Sequence, residues 1–150
     1  MTRATDLTPT PDALVEAARA FVGTPFRLCG RDPATGLDCA GLVGSALARL
    51  GRPLALPARY TLRSHQPPDA ENVLAAAGLQ AVHGEPATGD IAMVHTGACQ
   101  YHFVIHSVPE RNIAIHAHAG LRRIVEGPLP ASWRQLGAWH LPSPSPSPSS

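Results

Sequence analysis

The spacing of apolar positions changes character once along the chain. Early on it is helical. Thr10 reads as an N-cap, Pro11 takes the first helical position and Asp12 the first turn, and Leu14, Ala18, Phe21 and Val22 recur on one face. With Gly23 as a stop, this predicts a helix over 11–22. The Gly-, Pro- and Asp-rich stretch 23–37 reads as a loop. Leu42, Val43, Ala46, Leu47 and Leu50 then form the apolar face of a second helix over 39–50, led by Asp38 and closed by Gly51, with Pro53 beyond it. Residues 52–68 carry four prolines and read as irregular, and Asp69 is placed to cap a short helix over 70–77 ending at Gly78. Beyond it the period shortens to that of strands, predicted over 91–95, 101–106, 112–116, 122–125 and 138–141. Helices first and strands later predict an α+β fold, N-terminal helices packed on a C-terminal antiparallel sheet. One domain over 10–141 is expected, with a flexible leader at 1–9 and a disordered Ser-Pro tail at 142–150.

Composition narrows the function classes. The chain has 150 residues, 44% of them hydrophobic, enough for one sizeable core. A formal net charge of +1 gives no field to collect nucleic acid or an anionic membrane. No apolar run approaches the roughly 18 residues of a membrane span. Residues 1–11 lack the apolar core of a signal peptide, so the chain is expected to stay in the cytoplasm as synthesised. Three cysteines without a Cys-x-x-Cys pair argue against a disulfide framework or a structural zinc site, leaving free thiols.

One of those thiols stands apart. Cys29 falls in a loop and Cys99 between strands, whereas Cys39 opens the second helix. There the unpaired N–H groups and the macrodipole favour negative charge. A thiol so placed, with an imidazolium beside it, is expected to fall from about 8.5 to roughly 3.5–7.5, and the same N–H groups suit an oxyanion. The alternative is that Cys39 is a small buried hydrophobe. Gly41 keeps the helix surface small for a close approach by substrate or sheet.

Of the eight histidines, a hairpin argument selects two. Strands 102–106 and 112–116, joined by a five-residue loop centred on Pro109, set His102 opposite His116, Phe103 opposite Ile115 and Ile105 opposite Ile113. The histidines then share one face and the apolar residues the other. If the Cys39 helix packs on the histidine face, His102 serves as base and His116 orients it. A one-residue slip would separate the pair. His106 and His118 fall on the same parity, so a four-histidine metal patch is the competing reading.

The run Phe21-Val22-Gly23-Thr24-Pro25-Phe26, then Gly36-Leu37-Asp38-Cys39-Ala40-Gly41-Leu42-Val43, with Gly89-Asp90-Ile91, His102 and Ile115-His116-Ala117 following in order, resembles the NlpC-type cell-wall peptidases over about 12–141. The resemblance implies a papain-like fold and a Cys39–His102–His116 triad that hydrolyses peptidoglycan stem peptides, typically beside γ-D-glutamyl linkages, without metal or organic cofactor. It implies that Asp38 helps receive the substrate's free amine. The 122–126 strand and the Trp133/Trp139 region look most like members encoded with phage tails and gene transfer agents, so phage-like tail proteins are the implied partners and a phage-like particle the implied carrier. Two departures stand out. Phe26 replaces the family's tyrosine near the nucleophile, with Tyr60 the candidate to replace its hydroxyl, and Ala40 stands where serine is frequent. Phe26 also supports a rival reading, an inactive structural or wall-binding tail protein on the same fold.

Overall fold

The computed structural model describes residues 9–54, 70–97 and 100–142. The predicted cap of the third helix at Asp69, the candidate Tyr60, Cys99, and nearly all of the leader and tail lie outside these residues.

Helix α1 spans Pro11–Arg19, with the Thr10 side chain accepting the Ala13 N–H. It ends three residues before the predicted last helical residue, Val22. Phe21 and Val22 continue the apolar spacing, but their amides bond to Ala18 and Arg19, three residues back, tightening the chain into turns before left-handed Gly23. A short hairpin follows where a loop is expected, β1 (Arg31–Asp32) and β2 (Gly36–Leu37), closed by the Thr35 N–H on the Asp32 carbonyl. Helix α2 spans Cys39–Arg49. Its Leu42, Val43 and Leu47 are fully buried, each worth about 1.5–3 kcal/mol of transfer free energy as an upper bound. Helix α3 spans Ala70–Ala76 and turns at left-handed Gly78.

The sheet is built from β3 (Gln80–Val82), β4 (Ile91–Gly97), β5 (Gln100–Val108), β6 (Ile113–His118), β7 (Arg123–Pro128) and β8 (Arg134–His140). Its order is β3-β8-β4-β5-β6-β7, and every neighbouring pair is antiparallel. All three helices lie on one face, where Leu14, Leu42, Leu47 and Leu74 pack with Ile91, Phe103, Ile105, Ile115 and Trp139. The opposite face carries a smaller cluster of Ala92, Val94, Val104, Ala114 and Ala138. The predicted α+β layering, helices on an antiparallel sheet, is the observed one. Among the described residues no helix is long and apolar enough to cross a membrane.

The β5–β6 register differs from the predicted one by two residues. Ile105 pairs with Ile115, not Ile113, because a bulge between His106 and Val108, the 3-10 turn Pro109–Arg111 and left-handed Asn112 absorb the extra chain. An even shift preserves parity, so His102 and His116 still share a face.

Asp90, in the Gly-Asp pair before β4, has a fixed structural place. Its carboxylate accepts the Ala87 N–H and meets His140 Nδ1, tying the start of β4 to the end of β8.

The head of α2 is fixed by a backbone approach. A Cβ built at Gly41 would lie 2.1 Å from the Gly30 carbonyl oxygen. The close neighbour that requires glycine here is therefore the backbone of Gly30, just before β1. Helix propensity alone favours alanine at this position by about 1 kcal/mol. We expect Gly41→Ala to be destabilising instead, by about 1–3 kcal/mol in thermal or denaturant unfolding; a more stable variant would contradict this contact.

Candidate active site

Asp38 builds the site's first wall. It is the N-cap of α2, and its Oδ1 accepts the Gly41 N–H at 2.8 Å. The same oxygen meets Arg31 Nη1 at 2.8 Å, and Oδ2 accepts the Cys29 N–H at 3.1 Å. The carboxylate thus pins the hairpin to the first helical turn and leaves Cys39 at the tip. Cys39 is 4% exposed, and its sulfur is bonded by the backbone amides of Phe103 and Ala40.

The sulfur therefore lies against β5, one residue from His102. The route differs from the expected one. Helix α2 packs on the Phe103–Ile105–Ile115 face, whereas His102, whose register partner is Val94, stands on the other. What joins them is a parting of strands. The β5–β6 ladder runs from Val108–Ile113 to Ile105–Ile115 and stops, while β5 continues along β4 to Gln100 and β6 along β7 to His118. Where the two strands part, a cavity of about 490 Å³ opens, lined by Cys39, His102 and His116 together with Phe26, Asp38 and Trp133.

His102 Nε2 and His116 Nδ1 are 3.1 Å apart, the rings nearly perpendicular at 85°. Trp133 stands edge-on to both, at 5.5 and 5.6 Å between centroids. The bond leaves Nδ1 of His102 as the nitrogen available to the thiol. For that atom to act as base, His102 carries its proton on Nε2 and donates to His116. Among the described residues no hydrogen bond joins the Cys39 sulfur to His102; the two groups share a cavity.

Burial governs the protonation states. It pushes the Cys39 thiol up to about 12, with the nearby Asp38 charge adding to the rise, and outweighs the amides that favour thiolate. The direction is opposite to the expected lowering, because desolvation exceeds the contribution of the Phe103 and Ala40 amides. Desolvation also brings His102 down to about 3, with His116 and then His118 adding to the fall, and His116 down to about 4. The resting pair is a neutral thiol and a neutral imidazole.

The sequence-predicted residues separate clearly. Cys39, His102, His116, Asp38 and Phe26 line one cavity, and Tyr60 lies outside the described residues. The four histidines do not gather around a common centre. His106 bonds Gln135 and His118 accepts the Leu121 N–H, and among the described residues no three His, Cys, Asp or Glu side chains are arranged to hold a metal ion. Arg31 was missed as a partner of Asp38, since the contact depends on strands only two residues long. Trp133 sits in a turn whose sequence gives no sign of where its ring points.

No family model and no curated protein matches this sequence. Solved structures do. An NlpC/P60 family protein from Bacillus cereus ATCC 10987 superimposes with a TM-score of 0.65 at 21% identity, over 90% of this chain and 41% of that one. The NlpC/p60 domain of the peptidoglycan hydrolase SagA gives 0.62 at 22% identity, over 87% of this chain and 97% of that domain. The peptidoglycan hydrolase RipB from Mycobacterium tuberculosis gives 0.53 at 18% identity, over 93% of this chain and 67% of that one. This chain thus spans well under half the length of the Bacillus protein and almost all of the SagA domain.

The pKa directions set a pH window for stability. Both imidazoles are depressed from 6.5, so below about pH 6.5 the unfolded chain binds more protons than the native one. Their contribution is present above that pH and is lost as pH falls toward 4 and 3. Cys39 is raised from 9.0, so its contribution holds below pH 9 and is lost as pH rises toward 12. The melting temperature should therefore be highest between about pH 6.5 and 9, and its acid decline should begin above the carboxylate range. A decline confined to pH below 4 would contradict the neutral, desolvated pair. The fold that carries this site is that of the NlpC/P60 proteins.

Proposed function

We propose that the protein is a cysteine peptidase of the NlpC/P60 type that hydrolyses peptidoglycan stem peptides. One observation carries the reading: a thiol at the head of a helix and a bonded pair of histidines line a single cavity. Resemblance in sequence and fold to peptidoglycan hydrolases supports the substrate class.

In this mechanism the scissile carbonyl approaches Cys39. His102 Nδ1 takes the thiol proton as sulfur attacks, so a carbon–sulfur bond forms while the carbonyl oxygen becomes an oxyanion. The Cys39 N–H, which has no intrahelical acceptor at the helix start, stabilises that charge. His116 accepts the Nε2–H bond of His102 and stabilises the imidazolium. The imidazolium then donates its proton to the leaving amine, and water hydrolyses the thioester. The resting thiol is neutral, so proton transfer accompanies attack.

A second reading is supported by the sulfur itself. Its burial, its raised pKa and the loss of a hydroxyl at Phe26 suit a wall-binding protein with little turnover. A place in a phage-like tail particle is supported by the resemblance of the 122–126 and 133–139 regions to tail-encoded members.

Digestion of purified peptidoglycan, with mass spectrometry of the new termini, separates these readings. The wild-type protein should release peptide fragments. Cys39→Ala should lose activity by about three orders of magnitude or more while keeping its melting temperature within a few degrees. Turnover in that variant would reject the assignment, and wild-type binding without new termini would favour the wall-binding reading.

A further inference from the structure

The charge of the cavity assigns a substrate class more narrowly, and this inference rests on the peptidase reading above. Among its described lining residues Asp38 is the only carboxylate. His102 and His116 are both held neutral by desolvation. His118 and the Cys29 thiol also line it, and the remaining walls are aromatic, aliphatic, amide or hydroxyl side chains, including Phe26, Tyr101 and Trp133. Whatever attracts a cation here must be Asp38.

That carboxylate is already engaged. Its Oδ1 meets the Arg31 guanidinium at 2.8 Å and the Gly41 N–H, and its Oδ2 accepts the Cys29 N–H. The Arg31 and Asp38 side chains are 31% and 12% exposed, so solvent screens the pair only in part. Arg31 Nη2 is buried and without a hydrogen-bond partner. The hairpin holds Arg31 in place, since Gly30 packs on Gly41 and β1 pairs with β2. Arg31 does not itself line the cavity, so a substrate ammonium approaching Asp38 would meet a carboxylate whose charge is already compensated by the paired guanidinium.

We propose that Arg31 is a specificity-determining residue that sets this site against free amino termini. The preferred substrates are peptides whose amino end is acylated, such as stem peptides still joined to glycan. An acyl carbonyl adds no positive charge beside Arg31, whereas an ammonium does.

The test uses one tripeptide, L-Ala-γ-D-Glu-L-Lys, with its amino terminus free or acetylated. The wild-type protein should cleave the acetylated form with the higher kcat/KM, by about tenfold or more. Arg31→Gln, which removes the charge, should shift the ratio toward the free amine by about fivefold or more, and Arg31→Lys should retain the wild-type ratio. The affinities of both peptides for the Cys39→Ala protein should show the same order without turnover. A wild-type preference for the free amine, or a ratio unmoved in folded Arg31→Gln, overturns the inference and leaves the peptidase reading standing. Neither cleavage nor binding of either peptide overturns both.

Discussion

The entry of the α2 tip into the gap between β5 and β6 is the constraint on which the site depends. A helix packed flat on the apolar face of the sheet would be separated from His102 and His116 by the sheet itself. The ladder stops at Ile105–Ile115, and beyond it the Phe103 amide bonds the Cys39 sulfur. The nucleophile thus comes from one side of the sheet and the imidazoles from the other, and they meet at its open end. Gly41 and Gly30 make this possible by letting two backbones touch.

The same placement sets the chemistry. A sulfur wedged between helix and strand loses water, and that loss outweighs the amide contacts and the Arg31 charge that favour a thiolate. Two imidazoles beside Trp133 are likewise held neutral. The site stores no ion pair between sulfur and histidine at rest. Its reactivity depends on substrate entering the cavity and on a proton moving during attack. The charge that remains at the cavity edge is divided between Asp38 and Arg31, close to compensation.

The sequence revealed those parts that depend on local capping and parity. Asp38 just ahead of the second helix, Cys39 at its head and the stop at Gly51 follow from side chains acting on their own neighbours. The shared face of His102 and His116 survived a register error because the error was even. Other features depend on distant or weak signals. The edge strand β3 has three mostly exposed residues and no apolar alternation, and β8 begins in exposed Arg134 and Gln135. The β1–β2 hairpin is too short to give a period, so the Arg31–Asp38 pair was invisible. The thiol pKa went the other way because burial of a helix tip is a tertiary fact, whereas the dipole is a local one.

The most direct test of the shared site is a stem-peptide analogue carrying an acyloxymethyl ketone at the scissile position, followed by peptide mapping. Cys29 is exposed and Cys39 buried, so a small unspecific reagent would favour the wrong thiol. The account predicts that the analogue alkylates Cys39, not Cys29 or Cys99, and that His102→Ala abolishes the reaction. Alkylation of Cys29 alone, or labelling of Cys39 unchanged in His102→Ala, would contradict a thiol and imidazole acting as one unit.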